Sequence, residues 1–166
     1  MSASERASAK PAANSRVREK RCGWNRTCTR RSPATVRAAL TAARTVAGER
    51  RVHVLFQPHL FSRTEEFAQG FAEALSLADS VVVLPVFAAR EDPRTDVGGW
   101  TITELMVDGR AVYVEDTDEA LRRVTDNARP GDLVLTIGAG DVTTHGLPLV
   151  GLLRARASGS TPGSSE

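Results

Sequence analysis

Two short stretches of this sequence are apolar without interruption, and they constrain the fold more than any other feature. They are SVVVLPVF at residues 80–87 and LVLTI at residues 133–137. A strand that is apolar at every position is buried on both faces, as strands are in parallel sheets covered by helices. Segments with helical spacing of apolar residues separate and flank the two stretches. We therefore predict an α/β fold with three layers, in which helices cover both faces of a mostly parallel sheet.

Periodicity and capping signals predict where the other elements lie. Pro33 suits a first helical turn, apolar residues then recur at helical spacing, and Gly48 ends that helix. Thr64, followed by Glu65 and Glu66, predicts the start of a second long helix. The other predicted elements are a strand at 51–56, a short helix around 102–106, a strand at 111–114, a helix capped by Asp116 or Thr117, and a last helix near 147–153.

Charge is distributed unevenly along the 166 residues, whose net charge is +2. Residues 1–31 hold nine Arg and Lys against two acids, whereas residues 32–166 hold thirteen against eighteen. The first segment has almost no large apolar side chains, so burial cannot offset its chain entropy. We predict a disordered basic tail at 1–31, an α/β domain at 32–154 and a flexible tail at 155–166.

Composition also bears on partners and location. No apolar run reaches the ~20 residues that a membrane helix needs, and no secretory signal is visible, so we expect a cytoplasmic protein without membrane contact. The basic tail resembles an organellar leader only in composition, and its one aromatic residue, Trp24, argues against nucleic acid as a partner. Cys22 and Cys28 have no further Cys or His pair beside them, so we predict neither a metal site nor a disulfide framework. We expect a monomer.

Ligands bind to open α/β sheets at the carboxyl ends of the strands, in the loops that lead into helices. In the first such loop, Arg63 offers a planar, permanently charged fork for a carboxylate or phosphate, and His59 offers a further donor. The helix that follows adds amides with partial positive charge. The alternative is that Arg63 pairs with a local acid and His59 merely packs. We predict a substrate-binding site without an assigned catalytic residue, and its members are Gln57, His59, Ser62 and Arg63.

Two later loops contribute weaker candidates for the same site. Glu91 comes shortly after a strand, in a loop whose other charges are expected to be solvated. The GAGD sequence then supplies Gly138, Gly140 and Asp141. Glycine lets the backbone come close to a ligand or to a neighbouring element, and the sequence does not decide between the two.

Two nucleotide-binding motifs are absent from the sequence. A dinucleotide fingerprint is rejected because Thr143 occupies the place of its third glycine. The only lysines are Lys10 and Lys20, and neither follows the glycines of a phosphate-binding loop. The sequence therefore predicts no ATP hydrolysis by means of a phosphate-binding loop.

Several motifs nevertheless occur in the order found in one family. FQPHLFSRTEEFAQGFAEALSLADSVVVLPVFAAREDP is followed by RPGDLVLTIGAGDVT, and the pattern resembles the C-terminal domain of the Mur ligases. The resemblance covers residues 35–153. Its most specific part is Gln-Pro-His-x-x-x-Arg-Thr together with Gly-Ala-Gly-Asp, which is similar to the members that join L-alanine to UDP-N-acetylmuramate in peptidoglycan biosynthesis.

The resemblance implies a role for this domain and for two of its residues. In the family, a central domain uses ATP and Mg to form an acyl phosphate, which the amine of the amino acid attacks. The C-terminal domain delivers the amino acid and closes the nucleotide site. His59 and Arg63 match the family residues near the amino acid, so L-alanine and UDP-N-acetylmuramate are the implied partners. No cofactor is expected for this chain alone.

The sequence also departs from the family pattern. An Asp-Tyr-x-His-x-Pro motif is replaced by CTRRSP at 28–33, where only the proline remains. No UDP-binding or ATP-binding domain precedes it. One hypothesis is a truncated or frame-disrupted ligase remnant that is inactive alone. The alternative is a free-standing α/β binding module that uses its basic arm for an anionic partner.

Overall fold

The computed structural model describes residues 32–159, so the predicted tail at 1–31 lies outside the described residues, as do residues 160–166. Helices and strands alternate through the described part. Their bounds are α1 Pro33–Ala47, β1 Val52–Gln57, α2 Phe61–Leu75, β2 Ser80–Val83, α3 Gly99–Thr103, β3 Ala111–Tyr113, α4 Thr117–Asn127, β4 Leu133–Gly138, a 3₁₀ turn Gly140–Thr143 and α5 Gly146–Ala157. The last helix includes residues 155–157, which the sequence had assigned to a flexible tail.

The four strands form one parallel sheet in the order β3-β2-β1-β4. From β1 the chain moves to β2 and β3 on one side, and then crosses to β4 on the other. Helices α1, α2 and α3 pack on one face, whereas α4 and α5 pack on the opposite face. The predicted three-layer α/β fold is confirmed.

Apolar side chains form one core on each face of the sheet. Alternate residues of β1 serve both cores, since Val54 and Phe56 join the first and Leu55 joins the second. Residues that contribute to the first core include Val36, Leu40, Phe71, Leu75 and Ile102. Residues that contribute to the second include Val82, Leu84, Leu121, Val124 and Leu149.

Local signals explain where two of the helices begin. The Ser32 hydroxyl accepts a hydrogen bond from the Thr35 amide at 3.4 Å, and Pro33 follows at the first helical position of α1. Asp116 caps α4 by accepting from the Glu119 amide at 2.7 Å, which decides between the two predicted caps. Both starts were predicted because capping is a short-range effect.

Three predicted bounds were wrong, and one of them belongs to the short helix expected around 102–106, which lies at Gly99–Thr103. The strand predicted at 80–87 ends at Val83, because Pro85 cannot supply an amide to a continuing ladder, and only an isolated parallel bridge between Phe87 and His59 follows. The helix predicted to start at Thr64 starts at Phe61, so Thr64 is already buried inside α2. Its hydroxyl donates to the Leu60 carbonyl at 2.8 Å rather than capping the helix.

No helix in residues 32–159 is both long and apolar enough to cross a membrane.

Candidate functional site

The candidate site lies between β1 and β4. At this point the order of the strands in the sheet changes direction, because the chain continues from β1 to β2 on one side and returns to β4 on the other. Gln57 ends β1 and pairs in register with Gly138, which ends β4. Ligands of open α/β sheets bind outside such a switch point, because the loops leaving the two strands part there. The predicted first and third loops therefore leave the sheet side by side.

The turn after β1 is held in an unusual backbone conformation. Leu60 has a φ of 65°, which is costly for a residue with a branched side chain. Its amide donates to the Phe87 carbonyl at 3.0 Å, and the Phe87 amide donates to the Pro58 carbonyl at 2.9 Å. The ring of half-buried His59 stacks on the ring of Phe87, with 6.1 Å between centroids. Phe87 thus contacts this turn twice, through its backbone hydrogen bonds and through the stacking of its ring on that of His59.

Helix α2 receives its N-terminal cap from a distant part of the chain. Leu60 precedes the helix and has no side-chain acceptor. Glu91, in the loop between β2 and α3, accepts a hydrogen bond from the Ser62 amide at 3.1 Å and another from the Ser62 hydroxyl. The Ser62 amide, one of those that the sequence offered to a ligand carboxylate, is therefore already bound by a carboxylate of the chain itself.

The electrostatics of Glu91 follow from these contacts. Burial raises the pKa of its carboxyl, but the hydrogen bonds from Ser62, the amide of Phe61 and the charge of nearby His59 outweigh it. The resulting pKa lies below the usual range for a glutamate. Glu91 is consequently an anion at neutral pH, held between the start of α2 and His59.

The third loop is tied to the first by backbone proximity and one side chain. The Gln57 side-chain oxygen accepts from the Val142 amide at 3.1 Å. A Cβ at Gly138 would lie 2.1 Å from the Gln57 carbonyl oxygen, and one at Gly140 would lie 2.4 Å from the Phe87 ring. Both glycines thus admit neighbouring parts of the chain, which answers the question that the sequence left open.

Arg63 occupies the third position of α2, one turn before Phe67. Its guanidinium carbon lies 5.3 Å from the centroid of the Phe67 ring, a cation–π distance. Arg63 is half-buried. Asp141 is exposed, and its carbonyl, rather than its carboxylate, accepts bonds from Thr144.

Two cavities of the described domain lie at opposite ends of the sheet. At the carboxyl end, a cavity of 20 Å³ borders Gln57, His59 and Gly138, room for about one water molecule. A cavity of 460 Å³ lies at the opposite end, against Asp132 and Val134. The larger volume is remote from every predicted site residue.

The described domain holds neither a cluster of three metal-binding side chains nor a lysine. Within residues 32–159, no group of three or more His, Cys, Asp or Glu side chains could hold a metal ion. The sequence has no lysine after Lys20. Arginine remains the cation available in the described domain for an anionic ligand.

Comparison with known proteins identifies the family of this domain. The family model described as Mur ligase, glutamate ligase domain, matches residues 31–140. The chain belongs to this family. The UDP-N-acetylmuramate–L-alanine ligase of Paenarthrobacter aurescens is 57% identical over 118 residues, which are 71% of this chain and 25% of that protein. The ligase of the same name from Renibacterium salmoninarum is 53% identical over 125 residues, 75% of this chain and 26% of that protein.

Solved structures agree with this Mur ligase assignment at the level of the fold. A domain of a UDP-N-acetylmuramate:L-alanyl-γ-D-glutamyl-meso-diaminopimelate ligase from Haemophilus ducreyi has a TM-score of 0.53 at 23% identity, covering 74% of this chain and 85% of that one. A murein peptide ligase from Psychrobacter arcticus has a TM-score of 0.59 at 15% identity, covering 74% and 26%. The chain spans about a quarter of the length of the curated relatives that it matches.

The sequence did not reveal three features of this Mur ligase domain. Phe87 was predicted to continue a strand, although Pro85 was a signal that the strand ends earlier. The role of Glu91 as a cap had no signal, because the residues that it joins are far apart in the chain. A buried pair at the other end of the sheet, His53 and Asp132 at 3.0 Å, was also missed.

Proposed function

We propose that this chain is the amino-acid-binding and nucleotide-site-closing domain of an ATP-dependent ligase that joins L-alanine to UDP-N-acetylmuramate. The observation that carries the proposal is the 57% identity over 118 residues to a ligase of that name. The activity belongs to bacterial peptidoglycan synthesis and therefore to the cytoplasm, where we expect a monomer.

Arg63 is the proposed partner of the carboxylate of L-alanine. The Ser62 amide at the start of α2 already binds Glu91, so it does not also neutralise a ligand. The guanidinium of Arg63 is permanently charged and forms two parallel hydrogen bonds with a carboxylate. His59, whose ring stacks on Phe87, is the proposed second donor, and the side-chain oxygen of Gln57 holds the loop that follows β4.

The contribution of these residues is positioning rather than proton transfer. An amine attacks an activated carboxyl group efficiently when both are held close together and correctly aligned. ATP supplies the activation of the muramate carboxyl, and the residues for that step would lie in other domains. We expect no ligase turnover from the purified 166-residue chain. Incorporation of radiolabelled L-alanine by this chain alone would contradict the proposal.

A chimera tests the proposal directly. Residues 32–159 replace the matching quarter of the Paenarthrobacter aurescens ligase, and ADP release is measured as a function of L-alanine and UDP-N-acetylmuramate. We expect Arg63→Ala to raise the KM for L-alanine about 10- to 100-fold, the value of a charged hydrogen-bonded contact. Arg122→Ala removes an exposed arginine of α4 and is the matched control, with no change expected. An unchanged KM in the Arg63 variant would refute the assigned role.

A further inference from the structure

Phe87 joins the loop after β2 to the loop after β1. Beyond the end of β2, the chain pairs with His59 in an isolated parallel bridge. The Phe87 amide donates to the Pro58 carbonyl at 2.9 Å, and the Leu60 amide donates to the Phe87 carbonyl at 3.0 Å. Both bonds belong to the backbone, so most other side chains at position 87 would leave them in place. The bridge therefore does not explain why an aromatic ring occupies this position.

Backbone strain is concentrated around this bridge. Among residues 32–159, the non-glycine residues with positive φ are Leu60, at 65°, and Ala89, at 54°. Leu60 directly follows His59, and Ala89 lies two residues after Phe87. Such conformations are costly and persist only where the surrounding structure holds them, and they cluster at ligand sites. The strain points to a functional role for the contact between His59 and Phe87.

The Phe87 side chain contacts two other loops of the candidate site. Its ring stacks on the ring of His59, with 6.1 Å between centroids and 18° between planes. In the loop after β4, Gly140 approaches so closely that a Cβ there would lie 2.4 Å from the Phe87 ring. Paired rings prefer defined relative orientations. A phenyl ring held between loops in this way restricts the orientation of the imidazole that packs on it.

We propose that Phe87 is a positioning residue for the amino acid substrate. Its ring holds the imidazole of His59 in the orientation in which His59 donates a hydrogen bond to the ligand carboxylate. The inference rests on the proposed function, which assigns the donor role to His59. A donor that is already ordered loses less entropy on binding than one that the ligand must order. Loss of the ring should therefore weaken amino acid binding without removing the donor.

Steady-state kinetics of the chimeric ligase test the proposal. Phe87→Leu removes the ring and keeps the backbone bridge, so we expect the KM for L-alanine to rise about threefold. His59→Ala removes the donor itself and should raise it about tenfold. The kcat and the KM for UDP-N-acetylmuramate should stay unchanged in Phe87→Leu, because only binding of the amino acid is weakened. Phe87→Tyr keeps the ring and should retain the wild-type KM. An unchanged KM in Phe87→Leu, or a tyrosine variant as weak as the leucine variant, would overturn the proposal.

A double variant shows whether Phe87 acts through His59. In the His59→Ala background, Phe87→Leu should not raise the KM for L-alanine further, because no imidazole remains for the ring to orient. A purely structural role for Phe87 predicts that the two effects multiply, and that outcome would overturn the inference alone. An unchanged KM in His59→Ala would contradict the proposed role of His59, and the inference with it.

NMR of the full 166-residue chain provides a measurement that requires neither turnover nor a folded variant. In the wild type we expect nuclear Overhauser contacts between the ring protons of His59 and Phe87, and between the Phe87 ring and the α-protons of Gly140. In Phe87→Leu, the imidazole signals of His59 should shift, whereas those of buried His53, at the other end of the sheet, should not. Absence of the ring-to-ring contacts in the wild type would overturn the proposal, as would unmoved His59 signals in Phe87→Leu.

Discussion

The two ends of the sheet share one feature: a carboxylate accepts hydrogen bonds from backbone amides of another part of the chain. At the amino end, Asp132 accepts from the amides of Arg51 at 3.2 Å and Arg129 at 2.9 Å, and from His53 at 3.0 Å. At the carboxyl end, Glu91 accepts from the amide and hydroxyl of Ser62. The chemistry is equivalent, but the surroundings differ.

The difference lies in what holds each carboxylate. Asp132 is in a short turn between α4 and β4, and its side chain is only 9% exposed beside the buried His53. Glu91 is in the long loop at residues 84–98, is partly exposed, and lies near the charge of His59. The amino end is thus a closed structural clamp. The carboxyl end is formed by contacts between the three loops that follow β1, β2 and β4. The half-buried residues His59 and Arg63 lie at this end.

The largest loss of stability is expected from a substitution at Gly138, where the carboxyl end of the sheet is most tightly packed. Gly138→Ala places a Cβ 2.1 Å from the Gln57 carbonyl oxygen, at a φ of 138°. Overpacking and backbone strain together should lower the free energy of unfolding by about 4 kcal/mol. Gly146→Ala, whose Cβ meets nothing within 4 Å, is the control and should be neutral or slightly stabilising. Denaturant unfolding measures both, and equal stabilities would show that β1 and β4 can separate at this end.

The next effect tests the clamp at the amino end. Asp132→Ala leaves two amides and the His53 ring without their acceptor in a buried place, so we expect a loss of about 3 kcal/mol. Asp126→Ala removes an exposed acid, whose side chain is 77% exposed, and should change stability by less than about 0.5 kcal/mol. Comparable losses in the two variants would contradict a structural clamp.

The clamp should also depend on pH. Burial raises the pKa of the Asp132 carboxyl, but the bonds from His53, Arg129 and Arg51 outweigh it, and the pKa is lowered on folding. A group with a lowered folded pKa stabilises the protein above its unfolded pKa of about 3.9, and this stability is lost as the pH falls through the folded value. The wild type should therefore lose more stability than Asp132→Ala between pH 5 and pH 2.

Short-range effects explain what could be predicted from the sequence. The helix start at Pro33, the cap at Asp116 and the alternation of strands and helices depend on neighbours along the chain. The helix start and the alternation were predicted correctly, and Asp116 is one of the two caps that the sequence predicted for α4. The placement of the first and third loops at one edge followed from a general rule of α/β sheets.

Long-range contacts explain what could not be predicted. The positive φ of Leu60 is imposed by Phe87, and the true start of α2 depends on Glu91. Neither residue adjoins the element that it fixes, so no local pattern records the connection. The roles of His59, Ser62 and Arg63 toward a ligand stay predictions.

A smaller loss of stability, expected from Glu91→Gln, tests whether Glu91 stabilises the carboxyl end of the sheet. Glu91→Gln keeps the shape but removes the charge at the start of α2, and the loss should be about 1 kcal/mol, reduced by exposure. Asp92→Asn, at the exposed neighbouring position, is the matched control. Because folding lowers the pKa of Glu91, its stabilisation is present above about pH 4.3 and disappears as the pH falls through the folded pKa. A Gln variant that unfolds with the pH dependence of the wild type would remove Glu91 from this role.

The smallest loss of stability is expected from Ser62→Ala, which distinguishes the amide bond of Ser62 to Glu91 from its hydroxyl bond. Ser62→Ala deletes the hydroxyl bond to Glu91 but keeps the amide bond, so we expect a loss of about 0.5 kcal/mol. The more informative result is the titration of Glu91, followed by NMR through the amide of residue 62. Since the hydroxyl is the largest of the influences that lower this pKa, its removal should raise the pKa toward the usual glutamate value. Ser158→Ala, which deletes an exposed hydroxyl at the end of α5, should leave that titration unchanged. An unshifted Glu91 pKa in Ser62→Ala would mean that the helix amides alone hold the carboxylate, and the carboxyl end would then resemble the amino end more closely than its exposure suggests.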